Sequence, residues 1–340
     1  MATGIETVET ADSSPSLAGA IMSVVVSQAF PGLSEAQLPT VVRRIVGDLG
    51  FRAIEIVAIA DAQVREEVRV ALQGAGASVI CLGGLPLLKA GLSLSSDGDE
   101  RAQAVAFACQ LADDASSFGA RALLLTSGRD VAEIDRPAAQ ARLTDSLLQV
   151  CEYALGLGLE LQVRLEPTDR NIRHRQLIGP TEEALAIAAE VGRRVDNFDL
   201  NLDLSHLLQL GENPLDELRR AAGHCHHVHL ANCVLGDPMS PLFGERHPPF
   251  GYRGSEVGVQ QLASVLRTLS NEGYFATPDL STIGLEVVPP DGSESWSVLE
   301  QARDDLLTAI ALAFDAKSTV EDEWIPLTAS PQVGERKSES

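Results

Sequence analysis

Lysine is nearly absent from this chain of 340 residues: only Lys89, Lys317 and Lys337 occur. Schiff-base chemistry in a barrel needs a lysine at a strand end, and Lys89 lies well past the third candidate strand, so amine catalysis is discounted. Cations of any kind are few. The chain has 26 Lys and Arg against 48 Asp and Glu, a formal net charge of −22. Such a surface repels phosphate backbones unless its cations cluster, and here the densest groups are the isolated pairs Arg43/Arg44, Arg193/Arg194 and Arg219/Arg220. Nucleic acid and anionic membranes are therefore not expected as partners. No uncharged apolar run approaches the ~20 residues that span a bilayer. Residues 1–16 carry Glu6, Glu9 and Asp12 and lack a basic and then apolar leader, so they are not expected to be a signal peptide. C-x-x-C spacing is missing among the five cysteines, and a chain of this length needs no disulfide staples, which points to a reducing cytoplasm. Neither G-x-G-x-x-G nor G-x-x-x-x-G-K-[ST] occurs, and the turn after the first strand reads Ser27-Gln28-Ala29-Phe30-Pro31-Gly32. Dinucleotide and P-loop readings lose their main support.

What is present is an alternation of short branched-aliphatic runs with longer stretches of helical spacing. Eight strands are predicted: Ile21–Val26, Ala53–Val57, Ser78–Leu82, Ala122–Thr126, Leu159–Leu165, Asp199–Leu204, His227–Leu230 and Ile283–Val288. Eight helices are predicted at Glu35–Leu49, Ala62–Gln73, Glu100–Phe118, Pro137–Gly156, Pro180–Val191, Pro214–Ala222, Val257–Glu272 and Ser295–Phe314. Gly-Pro at 179–180 and Asn213-Pro214 place proline at first helical positions. Eight βα units predict an α/β protein with a single (β/α)8 TIM barrel over residues 17–316. Residues 1–16 and 317–340 read as polar tails, mobile or partner-binding.

Six of the seven histidines fall between His206 and His247. Barrel active sites form at the C-terminal strand ends. The last four strands end with Glu166 in Val-Arg-Leu-Glu, Asp203 in Leu-Asp-Leu-Ser-His, His229 in His-Val-His-Leu and Glu286 in Gly-Leu-Glu-Val. Neighbouring strands lie about 5 Å apart, so these four side chains can converge on one cation. An unpartnered carboxylate inside an apolar strand is costly, which marks Glu166 and Glu286. Three carboxylates and one imidazole suit Mn²⁺, Mg²⁺ or Co²⁺ better than a structural zinc. His229 is preferred over His227 because it lies nearer the strand end, with His227 one layer deeper. His206 is placed to reach a substrate or to support a ligand. The long loop from Asp237 to Gly254 resembles a lid, with Glu245, Arg246 and His247 as polar candidates and Phe243, Phe250 and Tyr252 as an apolar rim. The segment Pro167–Arg175 holds three arginines suited to hydroxyls or a carboxylate. Arg164 shares its parity with Glu166, and there it needs a carboxylate partner or a substrate.

The set Val-Arg-Leu-Glu, Leu-Asp-Leu-Ser-His, His-Val-His-Leu and Gly-Leu-Glu-Val, in this order, resembles the xylose-isomerase-like TIM-barrel superfamily, the sugar phosphate isomerase/epimerase group. That resemblance implies a divalent metal on Glu166, Asp203, His229 and Glu286, and His206 against a substrate hydroxyl. It also implies proton transfer by the two glutamates, so Glu166, His206 and Glu286 are the catalytic candidates. Arg164, His206, Glu245 and His247 are the substrate-binding candidates. Leu-Ile-Gly-Pro-Thr-Glu-Glu-Ala, His-Leu-Ala-Asn-Cys-Val-Leu-Gly-Asp-Pro and His-Pro-Pro-Phe-Gly are similar to a subgroup that includes alpha subunits of bacterial C-glycoside deglycosidases. This narrower resemblance implies a metal-dependent lyase that cleaves the carbon–carbon bond of a 3-keto C-glycoside and pairs with a small beta subunit. A keto-sugar isomerase or epimerase and a non-catalytic sugar-binding barrel are the alternatives. A DNA repair endonuclease of the same superfamily conflicts with the charge.

Overall fold

The computed structural model describes residues 21–158, 160–276, 281–315 and 323–329. Eight parallel strands, β1 (Ile21–Val24), β2 (Ala53–Ile56), β3 (Ser78–Leu82), β4 (Ala122–Thr126), β5 (Gln162–Glu166), β6 (Phe198–Asp203), β7 (Cys225–Ala231) and β8 (Thr282–Glu286), run in the order β1-β8-β7-β6-β5-β4-β3-β2. The ring is drawn together between β1 and β2 by the bridge of Val25 with Glu55 and by the Arg52 N–H donating to Met22 O at 3.0 Å. This is the expected TIM barrel. All eight predicted strands and eight long helices are found within a few residues of their predicted bounds. Leu159, the expected start of the fifth strand, and residues 1–16 lie outside the described residues.

Helices α1 (Leu38–Gly47), α2 (Ala62–Ala75), α3 (Gly98–Phe118), α4 (Arg136–Gly156), α5 (Thr181–Gly192), α6 (Pro214–Ala221), α7 (Val259–Asn271) and α8 (Ser295–Phe314) bury their apolar stripes on the outer face of the strands. Their starts follow from capping. Asn213 accepts from the Leu215 and Asp216 N–H groups with Pro214 at the first helical position, and Asp61 does the same for α2. Pro180 stands one residue before its helix rather than inside it.

The inward side of the barrel is divided by sequence parity. On β3 and β4 the inner residues Ile80, Leu82, Ala122 and Leu124 form a small apolar cluster apart from the main core. On β5 to β7 the same positions hold Arg164, Glu166, Asn201, Asp203, His227 and His229. The inner face is therefore apolar on β3 and β4 and polar or ionisable on β5 to β7. That division shapes the site.

Part of the expected C-terminal tail is docked instead. Within residues 323–329, Leu327 N–H donates to Glu256 O (3.0 Å), Thr328 Oγ1 to Glu256 Oε2 (2.9 Å), and Gln261 Nε2 donates to Ile325 O (2.7 Å). Trp324 packs on the core, which supplies the apolar gain that a purely polar tail would lack. The rest of residues 316–340 lies outside the described residues. No helix among those described is long and apolar enough to cross a membrane.

All five cysteines are free thiols, and Cys81, Cys151, Cys225 and Cys233 are buried. Burial pushes the Cys81 and Cys225 thiols up to about 12. Only Cys109 is partly accessible. Native protein is expected to react with a disulfide reagent at one thiol per chain, and at five after denaturation; several fast-reacting thiols in the native state would contradict this packing.

Candidate active site

The four strand-end residues meet. His229 Nδ1 lies 3.2 Å from Glu166 Oε1, 3.0 Å from Glu286 Oε2 and 3.8 Å from Asp203 Oδ2. One ligand atom from each of the four falls within 4.8 Å of every other. Asp203 splits its oxygens between two tasks. Oδ1 accepts from Ser205 N–H (2.7 Å), Ser205 Oγ (2.5 Å) and His206 N–H (3.1 Å), capping the short helix Leu204–Gln209. Oδ2 is buried and has no hydrogen-bond partner among the described residues. A buried anionic oxygen left bare beside two more carboxylates is what a divalent cation would satisfy, and the donor set fits a hard or borderline ion.

Beneath this group lies a carboxylate that the sequence reading missed. Glu55, on β2, is fully buried. Its Oε2 lies 2.9 Å from His229 Nε2, its Oε1 3.1 Å from His227 Nε2, and Ser23 Oγ donates to Oε1 at 2.6 Å. Arg164 Nη1 faces His227 Nδ1 at 3.1 Å and its Nε donates to Asp199 Oδ1 at 2.8 Å. These contacts fix the tautomers. Arg164 can only donate, so His227 Nδ1 accepts and Nε2–H donates to Glu55. Glu55 takes the His229 Nε2–H, which leaves Nδ1 to face the three carboxylates. Burial pulls the His227 pKa down to about 4 against the pull of Glu55, so His227 is neutral. Burial works against ionised Glu55 as well, but the two imidazoles outweigh it and hold its carboxyl well below the usual range. Burial also opposes a charged His229, yet Glu55, Glu286 and Glu166 together raise it well above the ordinary value. Without a cation, a proton on His229 is what balances the surrounding carboxylates. Gly284 permits this stacking, because a Cβ there would collide with Glu55 Oε1 and His229 Cδ2.

Glu55→Gln should keep the shape and lose the charge that orients His229. A ligand-orienting partner of this kind is typically worth about 10–100-fold in metal affinity. We expect that loss in a Mn²⁺ competition titration, together with a lower melting temperature because the amide N–H₂ meets an imidazole N–H; unchanged affinity would remove Glu55 from the cation site's support.

Arg164 was expected to reach substrate. The structure gives it the carboxylate partner instead: it is buried under the site against Asp199, whose other oxygen lies 3.4 Å from His226 Nδ1. Two further supports were not anticipated. Asn201 Nδ2 lies 2.8 Å from Glu166 Oε1 and 3.0 Å from His229 Nδ1, and Gln28 Nε2 donates to Glu286 Oε1 at 3.1 Å.

Above the four converging side chains sits a second polar layer. His206 and His247 are buried and aligned edge to face, with ring centroids 6.4 Å apart. His247 Nε2 lies 3.2 Å from Glu245 Oε1 and 3.5 Å from Glu286 Oε1. His174 pairs with the other oxygen of Glu245. Burial opposes charge on His247, but Glu286 and Glu245 carry its pKa up to about 9. Burial likewise disfavours ionised Glu286, while His247 and His229 hold it down at about 2. His247 adopts a φ of 42°, a left-handed conformation uncommon for a non-glycine residue. Its carbonyl accepts from Val288 N–H at 2.7 Å, tying the 237–254 loop to the end of β8. Arg173 Nη1 donates to Glu245 O at 2.5 Å, and Asn232 Nδ2 to Pro249 O at 2.8 Å. The loop is therefore pinned to the barrel on both sides.

The cavity over these groups has a volume of about 140 Å³. Its polar side is formed by Glu166, His174, His206, His229, Glu245 and Glu286. The opposite wall is apolar, from Leu82 and Leu124 of the strands with Leu85 and Leu88 above them. This corrects the expected rim. Phe250 is buried in the core, and none of Phe243, Phe250 and Tyr252 lines the cavity. The arginines of the 167–175 segment also turn elsewhere: Arg170 pairs with Glu183, and Arg173 holds the loop backbone. His174 is the member of that segment which enters the cavity.

A family model described as the xylose isomerase-like TIM barrel matches residues 44–296. The chain belongs to that family. No curated protein has a significantly similar sequence. Among solved structures it is similar to a D-psicose 3-epimerase from Clostridium cellulolyticum H10, crystallised with D-tagatose, at 18% identity and a TM-score of 0.63, covering 86% of this chain and 98% of that one. It is also similar to YcjR, a 3-keto-D-glucoside 4-epimerase from E. coli, at 16% identity and a TM-score of 0.61, covering 85% and 98%. An L-ribulose 3-epimerase gives 18% identity and a TM-score of 0.62 over 86% and 95%. At these identities the likeness establishes the fold, and the four converging side chains lie at the end of the barrel where such folds carry their chemistry.

Proposed function

We propose that this protein is a divalent-metal-dependent lyase that cleaves the glycosidic carbon–carbon bond of a 3-keto C-glycoside. Glu166, Asp203, His229 and Glu286 hold the cation, with Mn²⁺ preferred and Mg²⁺ or Co²⁺ alternatives. The observation that carries the cation site is the bare, buried Oδ2 of Asp203 beside Glu166, Glu286 and the Nδ1 of His229. The similar structures are epimerases of keto sugars and of a 3-keto glucoside, which supports the substrate class.

A bound cation supplies Lewis-acid stabilisation of the charge that develops on a carbonyl oxygen, and a template for the neighbouring hydroxyl. The chain's own groups move the protons. A carboxylate, Glu286 or Glu166, takes the proton from C2 beside the C3 carbonyl. The C1–C2 double bond forms, the bond from C1 to the aglycone breaks, and its electron pair stays on the aglycone carbon, which takes a proton from His206 or the other glutamate. Glu245, which lines the cavity, holds substrate hydroxyls above this level, and His247, expected there but buried outside the lining, positions Glu245 and Glu286 from behind. The apolar wall of Leu82, Leu85, Leu88 and Leu124 gives the flat face of a ring a surface to pack on, opposite the ionisable wall.

A second reading is epimerisation, favoured by two glutamates that reach the same His229 nitrogen from strands three places apart. One removes the proton and the other returns it. The lyase reading carries with it a cytoplasmic setting, a single barrel domain over residues 17–316 and a small beta subunit. The test uses Mn²⁺-loaded protein with a 3-keto C-glucoside and, separately, with free ketohexoses, following products by chromatography. Release of aglycone is expected. An intact glycoside with interconverted ketoses would replace the lyase by an epimerase, and full activity of the isolated chain would remove the beta subunit.

A further inference from the structure

A second and larger cavity, of about 410 Å³, opens beside the first on the same face of the barrel. Leu88, Thr126 and Gln176 line both, so the two chambers share a wall. The inner chamber of about 140 Å³ is smaller than the roughly 300–1,000 Å³ of ordinary ligand pockets, whereas the outer one falls within that range by itself. The outer chamber is built mainly from the loops that follow β3 and β4, with Arg142 of α4 and Gln176 of the loop after β5.

Its lining differs in kind from the apolar wall it adjoins. Ser93 and Ser95 are buried with their hydroxyls 2.9 Å apart. Arg142 Nε donates to Ser95 O at 2.9 Å, which orients the guanidinium along the cavity edge. Among the described residues neither Arg142 nor Arg129 has a carboxylate within ion-pair distance, although both line the chamber. Asp97 and Glu100 line it as well. Gly128 brings the loop after β4 onto Ser93, at a φ of 86° and so close that any side chain there would collide.

This lining offers donors, acceptors and hydroxyls together. A phosphate or lone carboxylate would meet Asp97 and Glu100, and a bare hydrocarbon would leave the serines and guanidiniums dry. Hydroxyl groups both donate and accept, and so match all of them. We propose that the outer chamber binds a ring bearing neighbouring hydroxyls, a second sugar or a polyhydroxylated aromatic, joined to the sugar held at the cation centre. The substrate is then a two-ring glycoside with its linking bond between the chambers, along Leu88 and Thr126. This deepens the function proposed above and rests on it for the position of the sugar.

The test measures binding without turnover. Phenyl β-D-glucoside, 3,4-dihydroxyphenyl β-D-glucoside and cellobiose are titrated calorimetrically into Mn²⁺-loaded protein. None carries a 3-keto group. At least one hydroxylated probe should bind about tenfold more tightly than the phenyl glucoside, the effect of one or two added hydrogen bonds. A gain with cellobiose identifies a sugar, and a gain with the dihydroxyphenyl probe identifies an aromatic ring. Arg142→Met and, at the more exposed position, Arg129→Met should each lower that ratio towards one. Equal binding of all three probes, or a ratio unmoved in both variants, would overturn the proposal. A preserved ratio in a protein that releases no aglycone from 3-keto glycosides would remove the lyase and leave the chamber.

Discussion

Glu286→Gln is expected to lower turnover of the keto-sugar substrate by about 10²–10⁴-fold, the range for loss of a positioned acid or base. The amide matches the carboxylate in size and still accepts from Gln28 Nε2, so the end of β8 should keep its shape. What disappears is the negative charge facing His229 at 3.0 Å and the oxygen able to take a proton from carbon. The measurement pairs steady-state turnover with deuterium exchange at the carbon beside the carbonyl in D₂O. Both should fall together while the thermal unfolding midpoint moves little. A variant that keeps more than a tenth of wild-type exchange would exclude Glu286 from proton transfer.

Arg164→Met should destabilise the fold by about 3–5 kcal/mol, the usual cost of removing one partner from a buried ion pair. Asp199 would remain buried with His226, at 3.4 Å, as its ion-pair partner among the described residues, and His227 would lose the donor that fixes its tautomer. The gross attraction within such a pair is largely offset by its desolvation, so the cost lies in the orphaned carboxylate rather than in the lost bond. The double variant Arg164→Met with Asp199→Leu should therefore recover most of the loss. Urea unfolding of the single and double variants decides this. A single variant within 1 kcal/mol of wild type would show that water or a rearrangement serves Asp199 instead.

The barrel was legible because each strand is buried on both faces and reads as a short apolar run, and each helix carries its own stripe and cap. Glu166, Asp203, His229 and Glu286 were legible for a related reason: an ionisable residue at the end of an apolar strand is conspicuous, and strand spacing alone brings four such ends together. Glu55 carries the same signal in Ala-Ile-Glu-Ile but lies inside its strand rather than at the C-terminal end, so a strand-end pattern does not select it. Asn201 and Gln28 are neutral amides without any pattern of their own, and their roles depend on register across strands. The loops were the least legible. That His174 enters the cavity while Arg170 and Arg173 turn away is set by partners distant in sequence, Glu183 and the backbone of Glu245. Aromatic residues in the 237–254 loop suggested a rim, but Phe250 had a core to fill, and the apolar wall came from Leu85 and Leu88 across the barrel.

Glu166, Asp203, His229 and Glu286 are proposed to hold one divalent cation. Calorimetric titration of chelator-treated protein with Mn²⁺ tests this, using wild type and Asp203→Asn. Asparagine is as good a helix cap as aspartate, so the substitution retains the Oδ1 contacts to Ser205 and His206 and removes only the anionic oxygen that faces the site. One Mn²⁺ per wild-type chain, with binding lost or strongly weakened in the variant, is the expected result. No uptake by the wild type, or uptake indifferent to Asp203→Asn, would contradict the account.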